Sequence, residues 1–560
     1  MTMRSLSSEF SVAPQVDSLD FALLAADGFT LVISNRLDGE DASQLSAEMM
    51  ARCAEAAGLR FIHLPVTSGI DDDDVRKFEK ALANAAGKVL AYCRTGTRSA
   101  SLWALSEARR RPTEDILADT ARAGYDLTGL RTRMDAIRVR EAGRSNGRTH
   151  PGTRHDVVIV GGGAAGVAVA ASLHTRAPAL EIVIIEPRQD HDYQPGLTMV
   201  GAGIFDRRSV RRPEASIIPK GVGWIRAAVH SFRPDADEVI LDDGQVVGYR
   251  ALVVAPGIML DWNGIAGLPQ TLGRNGVTSN YSYDIAPYTW QLVRELKEGV
   301  ALFTQPPMPI KCAGAPQKAM YLSCDHWHRN GRLDGIEVAF HNAGPALFGV
   351  KEYVPPLMRY IERYGIDLRL QSQLIAIDGE QRQAIFKTPT GEVSHSFDMI
   401  HVCPPQRGLP LVADSPLAND AGYVDVDEST LRHLRYPNVF GAGDCISPSN
   451  AKTAAAARQQ APVVARNLLD TLAGRKPTTD YDGYGSCPLT VERGKIILAE
   501  FGYGGKLLPT FPKWLLDGQN PGRMAWWLKV HALPFIYWNA MLKGREWLAR
   551  PKAAPANDHV

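Results

Sequence analysis

The stretch at residues 155–173, HDVVIVGGGAAGVAVAASL, decides the predicted fold of most of the chain. An apolar, β-branched run leads into Gly161, Gly163 and Gly166, and an alanine-rich helical pattern follows. Glycines in this spacing allow a tight turn and let a pyrophosphate approach the N-terminus of the helix. A second apolar run, EIVIIEP, ends in Glu186, about 20 residues on, where a carboxylate can bind a ribose hydroxyl. The pattern predicts an α/β dinucleotide-binding domain.

Two later stretches indicate which dinucleotide this domain binds. ALVVAPG (251–257) and NVFGAGDC (438–445) resemble the second and third signatures of flavoproteins with two dinucleotide-binding domains. In that family the carboxylate that matches Asp444 holds the ribityl chain of FAD. A helix predicted from AKTAAAA (451–457) would point its positive N-terminus at the flavin and stabilise the negative charge of the reduced ring. The resemblance implies FAD as the cofactor.

The same resemblance implies an α/β fold with two Rossmann-like dinucleotide-binding domains of the FAD-dependent disulfide-reductase type. Members that use NADH carry a second glycine-rich fingerprint midway along the domain. Here the predicted strand GVALFTQ is followed by PPMPIKCAGAPQKAMYL (306–322), with prolines and Cys312 where those glycines would lie. A nicotinamide is therefore not the expected electron donor, and we expect thiol chemistry in its place.

Charge and composition argue against several classes of protein. The 560 residues carry 62 Lys and Arg against 61 Asp and Glu, so no nucleic-acid partner is expected. No apolar run approaches the roughly 18 to 20 residues that a membrane-spanning helix needs. The start, MTMRSLSSEFSVAPQV, has neither the pattern of an export signal nor the arginines of a transit peptide. We therefore expect a cytoplasmic protein whose cysteines are reduced unless they are catalytic.

The chain divides into four predicted segments. Residues 1–140 form a small α/β domain, in which apolar runs such as FTLVISN and KVLAYC alternate with helical ones such as DDDVRKFEKALANAA. Residues 141–155 are polar and rich in Gly, Arg and Pro, which is typical of a linker. The FAD domain is assigned to residues 156–515, and residues 516–560 form an aromatic, amphipathic C-terminus.

Cys312 has the surroundings of a reactive thiol. Lys311 precedes it, and Lys318 lies in the helix predicted from APQKAMYL. Nearby cations and a helix N-terminus favour the thiolate, which is the form that attacks sulfur.

A dithiol–disulfide cycle needs a second cysteine, and the residues alone leave four candidates open. Cys324, on a predicted helix, and Cys403, at the end of a predicted strand, are more typical of packing residues. Cys445 adjoins Asp444, which would raise its pKa. Cys487, in the predicted loop DGYGSCPLT, is favoured modestly over the others.

Long stretches resemble the sulfide:quinone oxidoreductase family, in the form related to the mitochondrial enzyme. The resembling stretches, between Asp156 and about residue 549, are DYQPGLTMVGAG, PPMPIKCAGAPQKAMYL, NAGPALFGVKEY, RYPNVFGAGDC, AKTAAA, DGYGSCPL and ILAEFGYGG. The family often has Ser where this chain has Ala451, and Cys403 has no counterpart in it. The two family cysteines beside the flavin fall on Cys312 and Cys487.

The resemblance also implies the cofactor-binding residues. These are Gly161, Gly163, Ala164, Ala165, Gly166, Glu186, Gln194, Val229, Gly443, Asp444, Lys452 and Thr453. The implied reaction oxidises hydrogen sulfide at the cysteine pair, passes two electrons through FAD to a quinone, and releases the sulfur to a thiol such as glutathione. Lys318 would stabilise the thiolate. No metal is expected.

The C-terminal stretch MAWWLKVHALPFIYWNAMLKG (524–544) places aromatic residues among Lys529, His531 and Lys543. It fits either a helix docked on the protein core or an interfacial anchor whose lysines snorkel outward. Because a quinone is dissolved in the bilayer, we favour the anchor, attached peripherally to the inner face of the membrane. A homodimer is a further expectation.

The N-terminal segment carries KVLAYCRTGTRSASLWAL (88–105), a predicted strand and helix joined by a loop with Cys93 and Arg98. Backbone amides and an arginine there would form an anion cradle around a thiolate. Four residues separate Cys93 from Arg98, as in rhodanese-type loops, whereas tyrosine phosphatases have five. The domain resembles a small phosphatase-like family labelled as sulfur transferases. We expect Cys93 to accept the sulfur made at the flavin, directly or through glutathione.

Two other functions stay open from the sequence. One is an NADH:quinone-type flavoprotein, which shares the fold but needs the second glycine-rich fingerprint. The other is a phosphatase or sulfurtransferase whose flavin domain is a redox sensor. The aspartate run at residues 71–74 is interpreted as a charge cluster at a helix N-terminus.

Overall fold

The computed structural model describes residues 3–41, 44–67, 69–83, 85–131, 133–135, 137, 154–449, 451–549 and 551–553. These residues form two compact units, the first built mainly from residues 1–152 and the second within residues 153–560. Most of the predicted linker, residues 141–153, lies outside the described residues.

The first unit contains one five-stranded sheet with helices. In spatial order its strands are Arg4–Ser5, Phe10–Ala13, Lys88–Tyr92, Phe29–Ser34 and Arg60–His63. The outer pair at the N-terminus is antiparallel, and the other pairings are parallel. The helices are Phe21–Ala26, Ala47–Ala56, Asp72–Ala83, Thr97–Glu107 and Thr113–Arg122. The predicted strands in FTLVISN and KVLAYC are confirmed. The acidic helix N-terminus is confirmed as well, because the carboxylates of Asp71 and Asp74 accept each other's backbone N–H groups at the helix start.

The larger unit begins with a mostly parallel seven-stranded sheet, starting at Arg154 rather than Asp156. Its strands in spatial order are Gly223–Ile225, Ile182–Ile185, Arg154–Val160, Val246–Val254, Glu238–Leu241 and Val229–Arg233, and Val439–Gly441 also pairs with Val246–Val254. The three sequence signatures thus lie on neighbouring parallel strands, whose carboxyl ends share one edge of the sheet. Fully buried β-branched side chains explain why these runs are continuously apolar.

A second, all-parallel sheet follows the first. Its strands in spatial order are Val277–Thr278, Met399–His401, Gly299–Gln305, Ile336–Asn342 and Asp367–Leu370. The strand Gly299–Gln305 is followed by the helix Ala315–Arg329, and Cys312 lies in the turn between them. This is the strand–turn–helix position at which related folds bind a second dinucleotide.

Antiparallel pieces and helices complete the larger unit. The antiparallel strands are Gln373–Asp378, Gln383–Thr388 and Gly391–Ser396, the hairpin Gly485–Glu492 with Lys495–Phe501, and the short pairs Asp190–Asp192 with Arg211–Pro213, Ile258–Leu260 with Gln406–Gly408, and Thr479–Asp480 with Lys552–Ala553. The remaining helices are Ala164–Arg176, Leu197–Val200, Leu268–Thr271, Ala286–Glu295, Val354–Arg363, Pro410–Ala413, Ala454–Leu472, Arg523–Trp527 and Leu533–Asn539. A π-helical turn, Leu528–Ala532, joins the last two into one C-terminal helical segment. Within the described ranges, no helix is both long and apolar enough to cross a membrane.

Candidate redox and cofactor site

The glycine loop has the shape that a pyrophosphate needs. Gly161 has a φ of 104°, and a Cβ there would lie 2.5 Å from the Ala255 carbonyl oxygen. A Cβ on Gly166 would overlap the carbonyl oxygen of Gly161, so the helix Ala164–Arg176 can approach the strand only with glycine at that position. Around Gly163, at the helix start, the described residues leave open space within 4 Å of a Cβ. The loop is therefore closed on its protein side and open where a ligand would approach.

The second strand brings the predicted ribose carboxylate to this loop. Glu186 directly follows the strand Ile182–Ile185, and its carboxylate accepts the backbone N–H of Gly162 at 2.8 Å. Gln194 is exposed, and its side-chain oxygen accepts a hydrogen bond from Lys311 Nζ at 2.7 Å. Val229 opens the edge strand Val229–Arg233 of the same sheet.

The third signature, NVFGAGDC, brings Asp444 to the same site. Asp444 follows the strand Val439–Gly441 and is half-buried. Burial raises the pKa of this carboxyl, while the nearby charges of Lys311 and Lys452 lower it. A Cβ on Gly443 would lie 2.9 Å from the Ala165 side chain, so the signature packs against the glycine-loop helix. Thr453 caps the helix Ala454–Leu472 by accepting the Ala456 N–H at 3.2 Å, which confirms the predicted helix.

The side chains of Cys312 and Cys487 lie close to each other near the third signature. Their sulfurs are 3.9 Å apart although 175 positions separate them in sequence. Cys312 has a φ of 52°, in the left-handed region that non-glycine residues rarely adopt, and its N–H donates to the Lys452 carbonyl at 2.8 Å. The backbone of the cysteine turn is thus tied to a predicted cofactor residue.

The location of Cys487 corrects one expectation. Cys487 lies on the strand Gly485–Glu492 and is buried, whereas the sequence pattern suggested a loop. The strand packs on the cysteine turn so closely that a Cβ on Gly314 would lie 2.5 Å from the Cys487 sulfur. Gly485, Ser486 and Pro488 lie within this strand, whereas Gly483, with a φ of 77°, precedes it.

The two thiols of the pair differ electrostatically. The pKa of Cys312 is held well below its usual value, first by the hydrogen bond from the Cys487 thiol and, against the effect of burial, by the ammonium group of Lys318. Lys318 Nζ donates to the Cys312 sulfur at 3.1 Å. The pKa of Cys487 is raised well above its usual value by the same hydrogen bond and by burial. The arrangement favours a thiolate on Cys312 and a thiol on Cys487.

A second buried lysine faces the pair, and the sequence did not reveal it. Lys529 is 2% exposed and donates to the Pro195 carbonyl at 2.8 Å, so the expectation that it snorkels outward is wrong. Burial and repulsion by Lys318 lower its pKa to about 7, although the charges of Cys312 and Cys487 act against this. Burial lowers the pKa of Lys311, whose ammonium group donates to Gln194 and not to a sulfur. The available sequence signal was a lysine placed among aromatic residues in the stretch 524–544.

The other cysteines of the larger unit are buried. Burial raises the pKa of Cys403 and Cys445 to about 12 and also raises the pKa of Cys324. Cys403 packs in one apolar cluster with Tyr281 and Cys312, but its thiol form is favoured. None of the three has the thiolate character that distinguishes Cys312.

In the first unit, Cys93 lies between the strand Lys88–Tyr92 and the helix Thr97–Glu107. Burial acts to raise the pKa of Cys93, but hydrogen bonds from the backbone amides of this loop (Thr95, Gly96, Arg98 and Ser99) lower it. The Arg98 guanidinium donates to both carboxylate oxygens of Glu40, at 2.6 and 2.7 Å, and to the Val66 carbonyl. This ion pair holds the pKa of Glu40 at about 2. Glu40 is a site residue that the sequence did not suggest.

The C-terminal helical segment has two contrasting faces. Lys529, Tyr537 and Trp538 are buried. Trp527 and Phe535 are 57% and 55% exposed, and Trp514, on a preceding turn, is 84% exposed. The segment is thus docked on the protein by one side, as the first of the two readings predicts, and presents exposed aromatic residues on the other; the interfacial anchor stays a prediction.

The larger unit fits a dinucleotide. The open glycine loop, the carboxylate of Glu186 at that loop and the half-buried Asp444 at the adjoining strand end are the groups that a pyrophosphate, a ribose and a ribityl chain require. Among the described residues, no cluster of His, Cys, Asp or Glu could hold a metal ion.

Two family descriptions match the chain. The description "Beta-lactamase hydrolase-like protein, phosphatase-like domain" matches residues 2–110, and "Pyridine nucleotide-disulphide oxidoreductase" matches residues 155–306. The first unit is thus a phosphatase-like domain, and the larger unit has the pyridine nucleotide–disulphide oxidoreductase fold, which implies FAD.

Similar proteins cover the larger unit. A mitochondrial sulfide:quinone oxidoreductase from Dictyostelium discoideum is 41% identical over 397 residues, which is 70% of this chain and 87% of that protein. The mouse mitochondrial protein of the same name is 38% identical over 393 residues, again 70% of this chain and 87% of its own length. The solved sulfide:quinone oxidoreductase of Aquifex aeolicus superposes with a TM-score of 0.59 at 19% identity, covering 72% of this chain and 97% of that one, and so shares the fold.

Proposed function

The chain belongs to the sulfide:quinone oxidoreductase family, and we propose that it oxidises hydrogen sulfide at Cys312 and Cys487 and delivers the electrons to a membrane quinone. The observation that carries the proposal is the 3.9 Å contact between the two sulfurs, with a lysine on one of them. Two sulfurs at this distance can alternate between a dithiol and a bridged state with small movements.

Hydrosulfide is the attacking nucleophile on the bridged pair. Its sulfur bonds to Cys487, the bond between the two cysteine sulfurs breaks, and Cys312 leaves as a thiolate. Lys318 favours this direction because its ammonium group stabilises negative charge on Cys312. The products of the step are a persulfide on Cys487 and a thiolate on Cys312: the sulfide sulfur has been oxidised to the persulfide level, and the bridged pair, as the oxidant, has been reduced.

FAD, when bound, would accept the two electrons that Cys312 and Cys487 release when they form their bond again, after the outer sulfur has left Cys487, and would pass them to the quinone. The residues that would hold it are those predicted from the sequence: Gly161, Gly163, Ala164, Ala165, Gly166, Glu186, Gln194, Val229, Gly443, Asp444, Lys452 and Thr453. Lys452 contacts both the cysteine turn and the third signature. Its carbonyl accepts the Cys312 N–H, and its Nζ donates to the Asp444 carbonyl at 2.7 Å.

The lysines also govern access of the substrate. Lys318 and Lys529 are both buried, and their positive charge would attract the hydrosulfide anion into an apolar site. Lys529, with a pKa of about 7, can also take a proton from hydrogen sulfide as the anion forms.

The persulfide must be unloaded to a thiol acceptor such as glutathione, and Cys93 is the proposed acceptor within the chain. Its lowered pKa supports attack by a thiolate on the outer sulfur. Tethering would raise its effective concentration to about the millimolar range. Mass spectrometry after turnover should find an added sulfur on Cys93, and an unmodified Cys93 would exclude this route.

The quinone implies contact with a membrane surface, and the exposed aromatic face of the C-terminal segment supports peripheral attachment. Vesicle flotation tests this directly. Replacing Trp527 and Phe535 by Gln should leave the protein unbound, whereas unchanged flotation would contradict the assignment.

The flavin spectrum tests the main proposal. Anaerobic sulfide should bleach the absorbance of the FAD-loaded protein, and added quinone should restore it. NADH in place of sulfide should leave the spectrum unchanged, because the turn that replaces the second glycine fingerprint carries Cys312. Bleaching by NADH but not by sulfide would overturn the proposal.

A further inference from the structure

The C-terminal helical segment reaches the glycine loop through a buried chain of hydrogen bonds. The Tyr537 hydroxyl is 2.7 Å from Nε2 of His191. On the other side of the ring, Nδ1 is 3.1 Å from the Gly162 carbonyl oxygen and 3.1 Å from a carboxylate oxygen of Glu214. All three side chains are buried, with Glu214 only 1% exposed. Residues 375 positions apart, Gly162 and Tyr537, are therefore linked through one imidazole ring.

The partners determine where the ring hydrogen lies. Carbonyl and carboxylate oxygens only accept, so Nδ1 must carry a hydrogen to satisfy either neighbour. In the neutral ring Nε2 is then the acceptor, and the Tyr537 hydroxyl is its donor. Removal of that hydroxyl would leave a buried ring nitrogen without a partner, which costs more than an ordinary surface hydrogen bond.

Packing fixes the donor in place. The rings of Tyr193 and Tyr537 are 4.7 Å apart, and the Arg212 guanidinium lies 4.2 Å above the Trp538 ring. His191 lies on the strand Asp190–Asp192, and Glu214 follows its antiparallel partner strand Arg211–Pro213, so one short strand pair presents both groups to the loop. The hydroxyl of Tyr537 therefore meets the imidazole in a rigid setting.

The chain of hydrogen bonds ends at Gly162, in the part of the loop that packs against protein side chains. Both backbone polar groups of Gly162 are hydrogen-bonded, because its N–H donates to Glu186 and its carbonyl accepts from His191. The next residue, Gly163, begins the helix in space that the described residues leave open. A pyrophosphate at this helix start needs the loop amides already in place, and a preformed loop binds more tightly than one ordered on binding.

We propose that Tyr537 and His191 are positioning residues for the dinucleotide: the C-terminal segment holds the glycine loop in its binding conformation. The inference rests on the proposed FAD site but not on sulfide as the electron donor. It makes the C-terminal segment a structural part of the cofactor site, in addition to its proposed contact with the membrane.

The test measures FAD binding to the FAD-stripped full-length protein by quenching of flavin fluorescence. Tyr537→Phe should weaken FAD binding about five-fold, the factor expected for one net hydrogen bond. Hydrogen–deuterium exchange in peptides that cover residues 157–169 should be faster in the FAD-free variant. The matched control is Tyr364→Phe, which removes another buried hydroxyl, 3.3 Å from the Val491 carbonyl, and should change neither readout.

A double-variant cycle separates positioning from general destabilisation. If Tyr537 acts through the ring, Tyr537→Phe should have no further effect on the FAD dissociation constant in a His191→Asn background. Additive losses would overturn the inference, as would equal FAD affinity and equal loop exchange in Tyr537→Phe and the parent protein. Failure of the parent protein to bind FAD would instead defeat the proposed function.

Discussion

Two turns in this chain carry a thiol whose pKa is lowered, and they achieve it differently. Cys312 and Cys93 both lie between a parallel strand and a helix. Around Cys93 the lowering comes from backbone amides, against the effect of burial. Around Cys312 it comes from a second thiol, Cys487, and from the ammonium group of Lys318.

The difference decides which chemistry each turn can perform. A pair of sulfurs can form a bond with each other and release two electrons, which a single thiolate cannot do without a partner molecule. A lone thiolate in a ring of amides can instead accept a sulfur atom or bind an anion. In the first unit the arginine charge is already paired with Glu40, so the loop amides carry most of the attraction for an anion.

The largest effect should come from removing one member of the pair. Cys487→Ser should lower sulfide-dependent quinone reduction at least about 1000-fold, because residues that act as a unit fail together. The matched variant Cys93→Ser should keep the initial rate of quinone reduction and change only the sulfur product. Both are measured by quinone absorbance, with FAD content as the control. Equal losses of quinone-reduction rate in the two variants would contradict the assignment of different chemistry to the two turns.

Lys318→Met should have the next largest effect. Loss of the cation beside the sulfur raises the pKa of the Cys312 thiol, so less thiolate forms at pH 7 and the rate of flavin bleaching should fall about 10- to 100-fold. Because the thiolate returns when the pH exceeds the new pKa, the rate should recover towards pH 9. The exposed Lys351→Met is the control. A loss that does not depend on pH would mean that Lys318 does not act on the charge of Cys312.

A smaller, pH-dependent effect is expected for Lys529→Met. With its pKa at about 7, Lys529 is charged at pH 6 and mostly neutral at pH 8. The variant should therefore bleach a few-fold more slowly than the parent protein at pH 6 and at nearly the same rate at pH 8. Stopped-flow absorbance at the two pH values measures this, and a constant ratio would show that the charge of Lys529 does not reach the sulfurs.

The smallest effect concerns stability of the first unit. The folded-state pKa of Glu40, about 2, lies below its ordinary 4.5, so the pair with Arg98 stabilises the fold above pH 4.5 and loses this contribution as the pH falls towards 2. Glu40→Gln should cost about 1 kcal/mol at pH 7, the scale of a partly exposed ion pair, and less at pH 3. Calorimetry of the full chain measures it, with the exposed Glu48→Gln as control. An equal cost at both pH values would contradict the pairing.

Local patterns predicted much of the fold because the elements concerned are set by neighbouring residues. The strand at 154–160, the glycine turn and the helix Ala164–Arg176 follow from apolar runs and from glycines that no Cβ could replace. Cys312 could be singled out because Lys318 and the helix start lie within a few residues of it. Cys487 was favoured only modestly by its residue pattern, since strand and loop readings of DGYGSCPLT differ only in what packs against it, and the family resemblance was needed to imply it.

By itself, the sequence determined the α/β class and the glycine loop and predicted one reactive thiol, Cys312, because each depends on residues close together along the chain. The expected FAD residues were implied by the family resemblance. Only the tertiary structure decided which groups meet that thiol and that loop: Cys487 at 3.9 Å and Lys529 near the thiol, and Tyr537 on His191 near the loop. In the first unit it likewise decided the pairing of Glu40 with Arg98. Contacts across such separations depend on how whole sheets and helices pack. No local spacing encodes them.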